Sequence, residues 1–265
     1  MFDSCGRNIH YLRISVTDRC NLRCVYCMPA DGVRLLSHDK ILSYEQMTEV
    51  ARAAAELGFD KIRITGGEPL ARKGIAVFVA MLRTIPGIRT LGMTTNGTLL
   101  APVAAELKSA GLDSVNVSLD TMDPGRYREL TRGGEIGEAI HGIETAIRLG
   151  FPVKLNVVVP DDGAEADLEA VREYAGRIGA GVQTIARYRL SDIKTDGGDY
   201  DRPPRCGDCN RLRLLANGML RPCLHGEAEF PVDFANIGES IERAIGAKPV
   251  RGQTCTDLEV GQIGG

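Results

Sequence analysis

Six short runs rich in β-branched residues alternate with longer amphipathic runs between residues 11 and 188. YLRISV (11–16), KIRITG (61–66), RTLGMTTN (89–96), SVNVSLD (114–120), VKLNVVV (153–159) and GVQTIARY (181–188) predict strands. Helices are predicted over 43–58, around 74–84, and over 102–111, 136–149 and 165–178. Ser43, with Gln46 three residues on, has the form of a capping box, and Pro102 and Gly111 bracket the third helix. Repeated strand–helix units call for a parallel sheet with right-handed crossovers. Several strands are almost continuously apolar, as strands covered on both faces are. The fold class is therefore α/β, a partial (β/α)6 TIM-like barrel. Periodicity leaves open whether it closes fully or stays an arc.

The rhythm marks a core over residues 1–190. Residues 191–205 form a loop rich in Asp, Gly and Pro, and the remainder, to 265, is an extension expected to cover one end of the barrel. Polar residues gather where the strands end: Asp18 and Arg19, Gly66 to Pro69, Thr94 to Gly97, Ser118 to Asp120. In α/β folds this rim binds ligands.

Two sets of three cysteines stand out. The first, CNLRCVYC, places Cys20, Cys24 and Cys27 just beyond strand one, on the predicted active face. Thiolates suit iron–sulfur clusters and zinc. Three ligands leave one iron of a four-iron cluster open, whereas structural zinc wants a fourth protein ligand, and His38 is the nearest histidine downstream. The second set is Cys206, Cys209 and Cys223. Here a Cys3His zinc knot using His225 is a fair alternative, while Arg211 and Arg213 beside the pair suit an anionic or purine-bearing ligand. Cys5 and Cys255 fit neither spacing.

The net charge of −3 and the absence of a basic, aromatic-rich patch argue against a nucleic-acid partner. No run of 18 apolar residues spans a bilayer, and MFDSCGRNIHYLR lacks an apolar signal core, so a cytoplasmic location is expected. In a reducing compartment grouped cysteines bind metal rather than form disulfides. No GxxxxGK[ST] phosphate loop is present.

CNLRCVYC resembles the CxxxCxxC signature of radical S-adenosylmethionine (SAM) enzymes. With YLRISVTDRCNLRCVYCMP, KIRITGGEPLARK, TTNG, VNVSLD, VKLNVVV, CGDCNRLRLLANGMLRPCL and the closing QIGG, the chain is similar to the GTP 3',8-cyclase family of molybdenum cofactor biosynthesis. The resemblance implies two 4Fe–4S clusters, one on each cysteine set, the second making the tail an iron–sulfur extension. It implies SAM bound at Tyr26, Gly66, Gly67, Glu68, Pro69, Thr95, Asn96 and Ser118. It implies GTP held by Arg13, Lys61, Arg63, Lys154, Arg211 and Arg213, with the terminal Gly264 and Gly265 reaching into the active site beside Arg211 and Arg213. An electron donor, cyclic pyranopterin monophosphate synthase as the next enzyme, and a homodimer belong to the same expectation.

Two departures stand beside it. Residues 189–205 are shorter than the family's connector, and QTIARY stands where the family reads like RFIEFM. Gln183 thus replaces an arginine associated with SAM, and Ala186 replaces an acidic residue.

Overall fold

The computed structural model describes residues 1–159, 165–196 and 200–263. All six predicted strands are present: β1 (Tyr11–Ser15), β2 (Lys61–Thr65), β3 (Thr90–Thr95), β4 (Ser114–Ser118), β5 (Val153–Val159) and β6 (Gly181–Ala186). The intervening helices are α1 (Tyr44–Glu56), α2 (Ile75–Arg83), α3 (Ala104–Ser109), α4 (Pro124–Thr131), α5 (Ile136–Arg148) and α6 (Glu165–Ile178). Helix α4 is additional to the predicted pattern. It starts on Pro124, with the Asp123 side chain accepting from Arg126 N, and ends with Arg132 in the left-handed region at φ 54°. The capping box of α1 forms as read: Ser43 accepts from Gln46 N, and the Gln46 side chain accepts from Ser43 N.

Strands β1 to β6 are parallel neighbours in chain order, and the sheet order is β6-β5-β4-β3-β2-β1-β7-β8-β9. Because β6 and β9 are its two ends, the sheet is an open arc. Residues of β6 and β7 nevertheless line one cavity, so the sheet curls around it.

The phase of each strand decides what goes where. Leu12, Ile14, Ile62, Ile64, Leu91, Met93, Val115, Val117 and Leu155 are buried in one core with the apolar faces of the helices. Full burial of such a side chain contributes roughly 1.5–3 kcal/mol. The alternate positions, Tyr11, Arg13, Lys61, Arg63, Thr94, Asn116 and Asn156, line the cavity. The reading of these strands as apolar on both faces is thereby corrected: the outer face is apolar and the inner face polar, because the interior holds a ligand cavity rather than packed side chains.

The segment after residue 190 was expected to cover one barrel end. Its first part widens the sheet. β7 (Arg211–Leu214) pairs in parallel with β1, and β8 (Met219–Arg221) and β9 (Phe230–Pro231) continue antiparallel. Helix α7 (Ile237–Gly246) packs on α1, β8 and β9. A short helix, α8 (Val260–Ile263), ends the described chain over the cavity, with Gly261 N donating to Cys27 O at 3.4 Å. The central support of this tail is Arg221. It is fully buried and donates to Glu229 (3.0 Å), to Cys255 Sγ (3.0 Å) and to Asp257 (2.6 Å).

Candidate active site

A cavity of about 520 Å³ occupies the concave side of the sheet. Its lining includes Cys20, Cys24 and Cys27, the Gly66–Gly67–Glu68 turn, Thr95, Asn96 and Ser118, and the basic residues Arg13, Lys61, Arg63, Lys154, Arg211 and Arg213. Tyr26 lines it too. Pro69 does not; it opens a 3-10 turn, Pro69–Ala71, behind the glycines. Gly264 and Gly265 lie outside the described residues.

The basic residues meet through strand register. Arg213, Arg13 and Arg63 stand side by side on β7, β1 and β2, and Arg211, Tyr11 and Lys61 form the adjacent rung. Arg63 is fixed as a framework cation: its Nε donates to Tyr11 Oη (2.8 Å), and its Nη1 donates to Met93 O (3.0 Å) and Asn116 Oδ1 (2.9 Å). Tyr11 also carries Lys61 Nζ 4.7 Å and the Arg211 guanidinium 5.5 Å from its ring centre. Burial raises the Tyr11 hydroxyl, but the fields of Arg13, Arg63 and Lys61 outweigh it and leave the pKa below its usual value. Burial, with Arg213 and Arg63 adding like charge, lowers Arg13 to about 10. Arg211 Nε and Arg213 Nε are buried with no hydrogen-bond partner among the described residues. Buried guanidinium donors of this kind are satisfied by an anion. Tyr11 was missed in the sequence, although its place two residues before Arg13 puts it on the same face.

Around the first cysteines the chain is held tightly. Arg132 Nη1 donates to the carbonyls of Arg23 and Met28, both at 2.8 Å, bracketing Cys24 and Cys27. Backbone bonds from Arg23 N to Thr131 O and from Val25 N to Leu130 O lay the loop along the end of α4. Tyr26 Oη donates to Asp120 at 2.6 Å, and Asp120 also accepts from Val158 N. Burial raises Asp120 to about 6 despite these bonds. The loop thus spans from α4 to the ends of β4 and β5.

Glu68 has a definite role. It accepts from Leu70 N (3.0 Å), Thr95 Oγ1 (2.7 Å) and Asn96 N (2.7 Å), so it ties the glycine turn to the end of β3. Burial raises it to about 7. Asn96 in turn donates to Asn21 at 2.9 Å and points Nδ2 at Cys20 Sγ at 3.9 Å. The two glycines before it are dictated by backbone packing. A Cβ on Gly66, at φ 149°, would lie 2.6 Å from Thr17 O, and one on Gly67 would lie 2.4 Å from Arg19 O.

The donor sets fit iron–sulfur clusters. Burial, reinforced by neighbouring thiols, raises Cys24 strongly and pushes Cys27 up to about 12. Three crowded thiolates form when metal cations neutralise them. At the second set, Gly252 N donates to Cys206 Sγ at 3.4 Å, and the buried Lys248 lies in the field of Cys209 and Cys223. Burial raises Cys223, and Lys248 opposes that. A Cβ on Gly252 would sit 3.2 Å from Cys223 Sγ, so the chain closes directly over this sulfur. His225 is buried against Tyr188, with ring centres 5.1 Å apart.

Comparison with known proteins places this geometry. A family model described as the Radical SAM superfamily matches residues 14–175. The GTP 3',8-cyclase of Alkaliphilus oremlandii is 38% identical with both chains covered completely. That of Heliobacterium modesticaldum is 42% identical over 94% of this chain and 93% of its own. Streptococcus suis SuiB bound to S-adenosylmethionine superposes with a TM-score of 0.69 at 14% identity over 92% of this chain. This chain spans 65% of that SuiB chain. The anSMEcpe structure with bound AdoMet gives 0.63 at 14% identity, covering 91% of this chain and 81% of that one. At this identity the two structures share the fold alone. The chain belongs to the radical SAM superfamily and, within it, to the GTP 3',8-cyclase family.

Proposed function

We propose that this chain converts GTP to 3',8-cyclo-7,8-dihydro-GTP in molybdenum cofactor biosynthesis. One observation carries the reading: the Arg213–Arg13–Arg63 rung and the first cysteine set line the same cavity. Polyphosphate and a radical source then meet in one enclosed space.

Cys20, Cys24 and Cys27 would hold one 4Fe–4S cluster, with SAM bound beside Gly66, Gly67, Thr95, Asn96 and Ser118; Cys206, Cys209 and Cys223 would hold the second. When bound, the first cluster and SAM supply a 5'-deoxyadenosyl radical that removes a hydrogen atom from the substrate ribose. The protein's own contribution is placement. Arg13, Arg211 and Arg213 bind the anionic substrate, with Lys61 and Lys154 adding mobile charge at the rim. Arg63, locked by Tyr11 and Asn116, fixes the angle of the arginine rung. Glu68 holds β3 and the glycine turn together through the three bonds it accepts. Val260 and Gly261 cover the cavity beside Cys27, and water is excluded there as the site fills. The reaction joins C3' of the ribose to C8 of guanine, so the base must fold back over the sugar.

A low-potential electron donor and hand-off to cyclic pyranopterin monophosphate synthase complete the reading, with the enzyme in the cytoplasm and a homodimer as its assembly. Among the described residues no helix is long and apolar enough to cross a membrane.

The test is anaerobic reconstitution with iron and sulfide, followed by GTP, SAM and dithionite, read by mass spectrometry. A product isobaric with GTP, formed one-for-one with 5'-deoxyadenosine, is expected. SAM cleavage without that product would reject GTP as substrate.

A further inference from the structure

The connector between β6 and the second cysteine set returns to the sheet at one point. Arg202 N donates to Thr184 O (3.1 Å), and Arg202 O accepts from Ala186 N (2.9 Å), a parallel bridge to Ile185 on the free edge of β6. The Asp201 carboxylate reinforces it, accepting from Thr184 N (2.8 Å) and Thr184 Oγ1 (3.1 Å). The Arg202 backbone is therefore pinned, and its side-chain direction is set by the sheet.

That side chain is half-buried and lines the main cavity. It also lines an adjoining basin together with Arg187, Arg189, Lys194 and Arg205. Although its backbone rides on β6, its guanidinium, lowered in pKa first by burial, lies in the fields of Tyr11 on β1, Arg63 on β2, its neighbour Asp201 and Cys209. It lines the same cavity as the arginine rung, from the opposite end of the six-stranded arc. It makes no hydrogen bond or ion pair among the described residues. Arg63 and Arg202 act on one another as like charges, and the neighbouring Asp201 carboxylate, which accepts from Thr184, offsets this only in part; a multivalent anion between the two guanidiniums turns the repulsion into a pair of charge-assisted hydrogen bonds.

We propose that Arg202 is a substrate-phosphate ligand, delivered by the connector to close the ring of cations that the sheet begins. The proposal rests on the GTP reading and names a contact of that site. It gives the connector a function: the chain segment leading to the second cysteine set also contributes to the phosphate pocket. Gln183 lies on β6 beside this bridge and is uncharged, so the cations of that edge that line the cavity are Arg187 and Arg202, of which Arg202 lies in the field of Arg63.

The experiment is equilibrium binding to the reconstituted protein, without reductant, for wild type, Arg202→Gln and Arg202→Lys, with GTP and with guanosine. Loss of a charge-assisted contact weakens GTP binding by about ten- to a hundredfold. Guanosine binding and the melting temperature are expected to be unchanged, with Arg202→Lys intermediate for GTP. Equal GTP affinity in wild type and Arg202→Gln overturns the proposal. So does equal weakening of GTP and guanosine, which assigns Arg202 to pocket shape. If Arg202→Gln fails to fold, Arg202→Lys decides: GTP binding within twofold of wild type overturns the proposal, and a selective loss supports it. Failure of the wild type to bind GTP instead overturns the cyclase reading and this contact with it.

Discussion

Glu68 is a carboxylate kept at a cost. Its pKa is raised from 4.5 to about 7, so the folded state binds its proton more tightly than the unfolded chain does. Its contribution to stability is fully present below about pH 4.5 and is lost as pH rises through 7, by roughly 3 kcal/mol in total. Glu68→Gln removes this titration and also one of three accepted bonds. The expected result is a flatter stability–pH curve between pH 5 and 7, read by urea unfolding at each pH. A slope equal to that of the wild type would show that Glu68 does not titrate there. Arg132 is the second residue whose loss is specific. It satisfies the carbonyls on either side of Cys24 and Cys27, and Arg132→Ala leaves both without that donor, a loss of about 1–3 kcal/mol locally. Iron retained by the first cysteine set should fall during anaerobic gel filtration, while the second set keeps its iron; equal retention at both sets would contradict this.

Elements obey their local chemistry wherever that chemistry is short-range. The capping box at Ser43, the glycine after α3 and the strand cores were legible because each depends on neighbours within a few residues. Ser43→Ala should cost about 1 kcal/mol, lowering the melting temperature by about 2–4 °C with SAM cleavage unchanged. Helix α4 was not legible: Pro-Gly opens it, only Tyr127 and Thr131 of it are buried, and no apolar stripe announces it. Strands β7, β8 and β9 run four, three and two residues, too short for a period to show. The site divides the same way. The cysteines and basic residues were visible as types, but the Arg213–Arg13–Arg63 rung was not, because it needs β7, which the sequence did not predict. Tyr11, Arg132 and Lys248 were missed, and Asp120 was read only as a rim residue, because their importance comes from partners distant in sequence: Asp120 meets Tyr26 across 94 residues, and Arg132 meets Arg23 across 109.

The whole molecule is joined at β1. Arg7, just before it, donates to Cys206 O (2.9 Å), Pro249 O (2.8 Å) and Val250 O (3.3 Å), and β1 itself lies between β2 and β7. Arg221 performs the corresponding task for the tail. Arg221→Met leaves the partly exposed Glu229 and Asp257 carboxylates without their buried cation, and should lower stability by about 1–3 kcal/mol and raise proteolysis after residue 250. Limited trypsin digestion with mass spectrometry checks this, and a protected tail would count against the clamp.

The position of β1 has a consequence for how the protein is made. Tyr11 leaves the ribosome two hundred residues before its partner Arg211. Throughout that interval β1 offers a bare edge, its N–H and C=O groups ready to template another nascent chain. A message stopped at residue 190 should therefore yield insoluble protein, whereas co-expression of residues 191–265 should recover part of it by supplying β7. Soluble, monomeric 1–190 would show that the edge protects itself. Synthesis, rather than catalysis, is when this molecule is most exposed to error, and the last quarter of its chain is the part that ends the exposure.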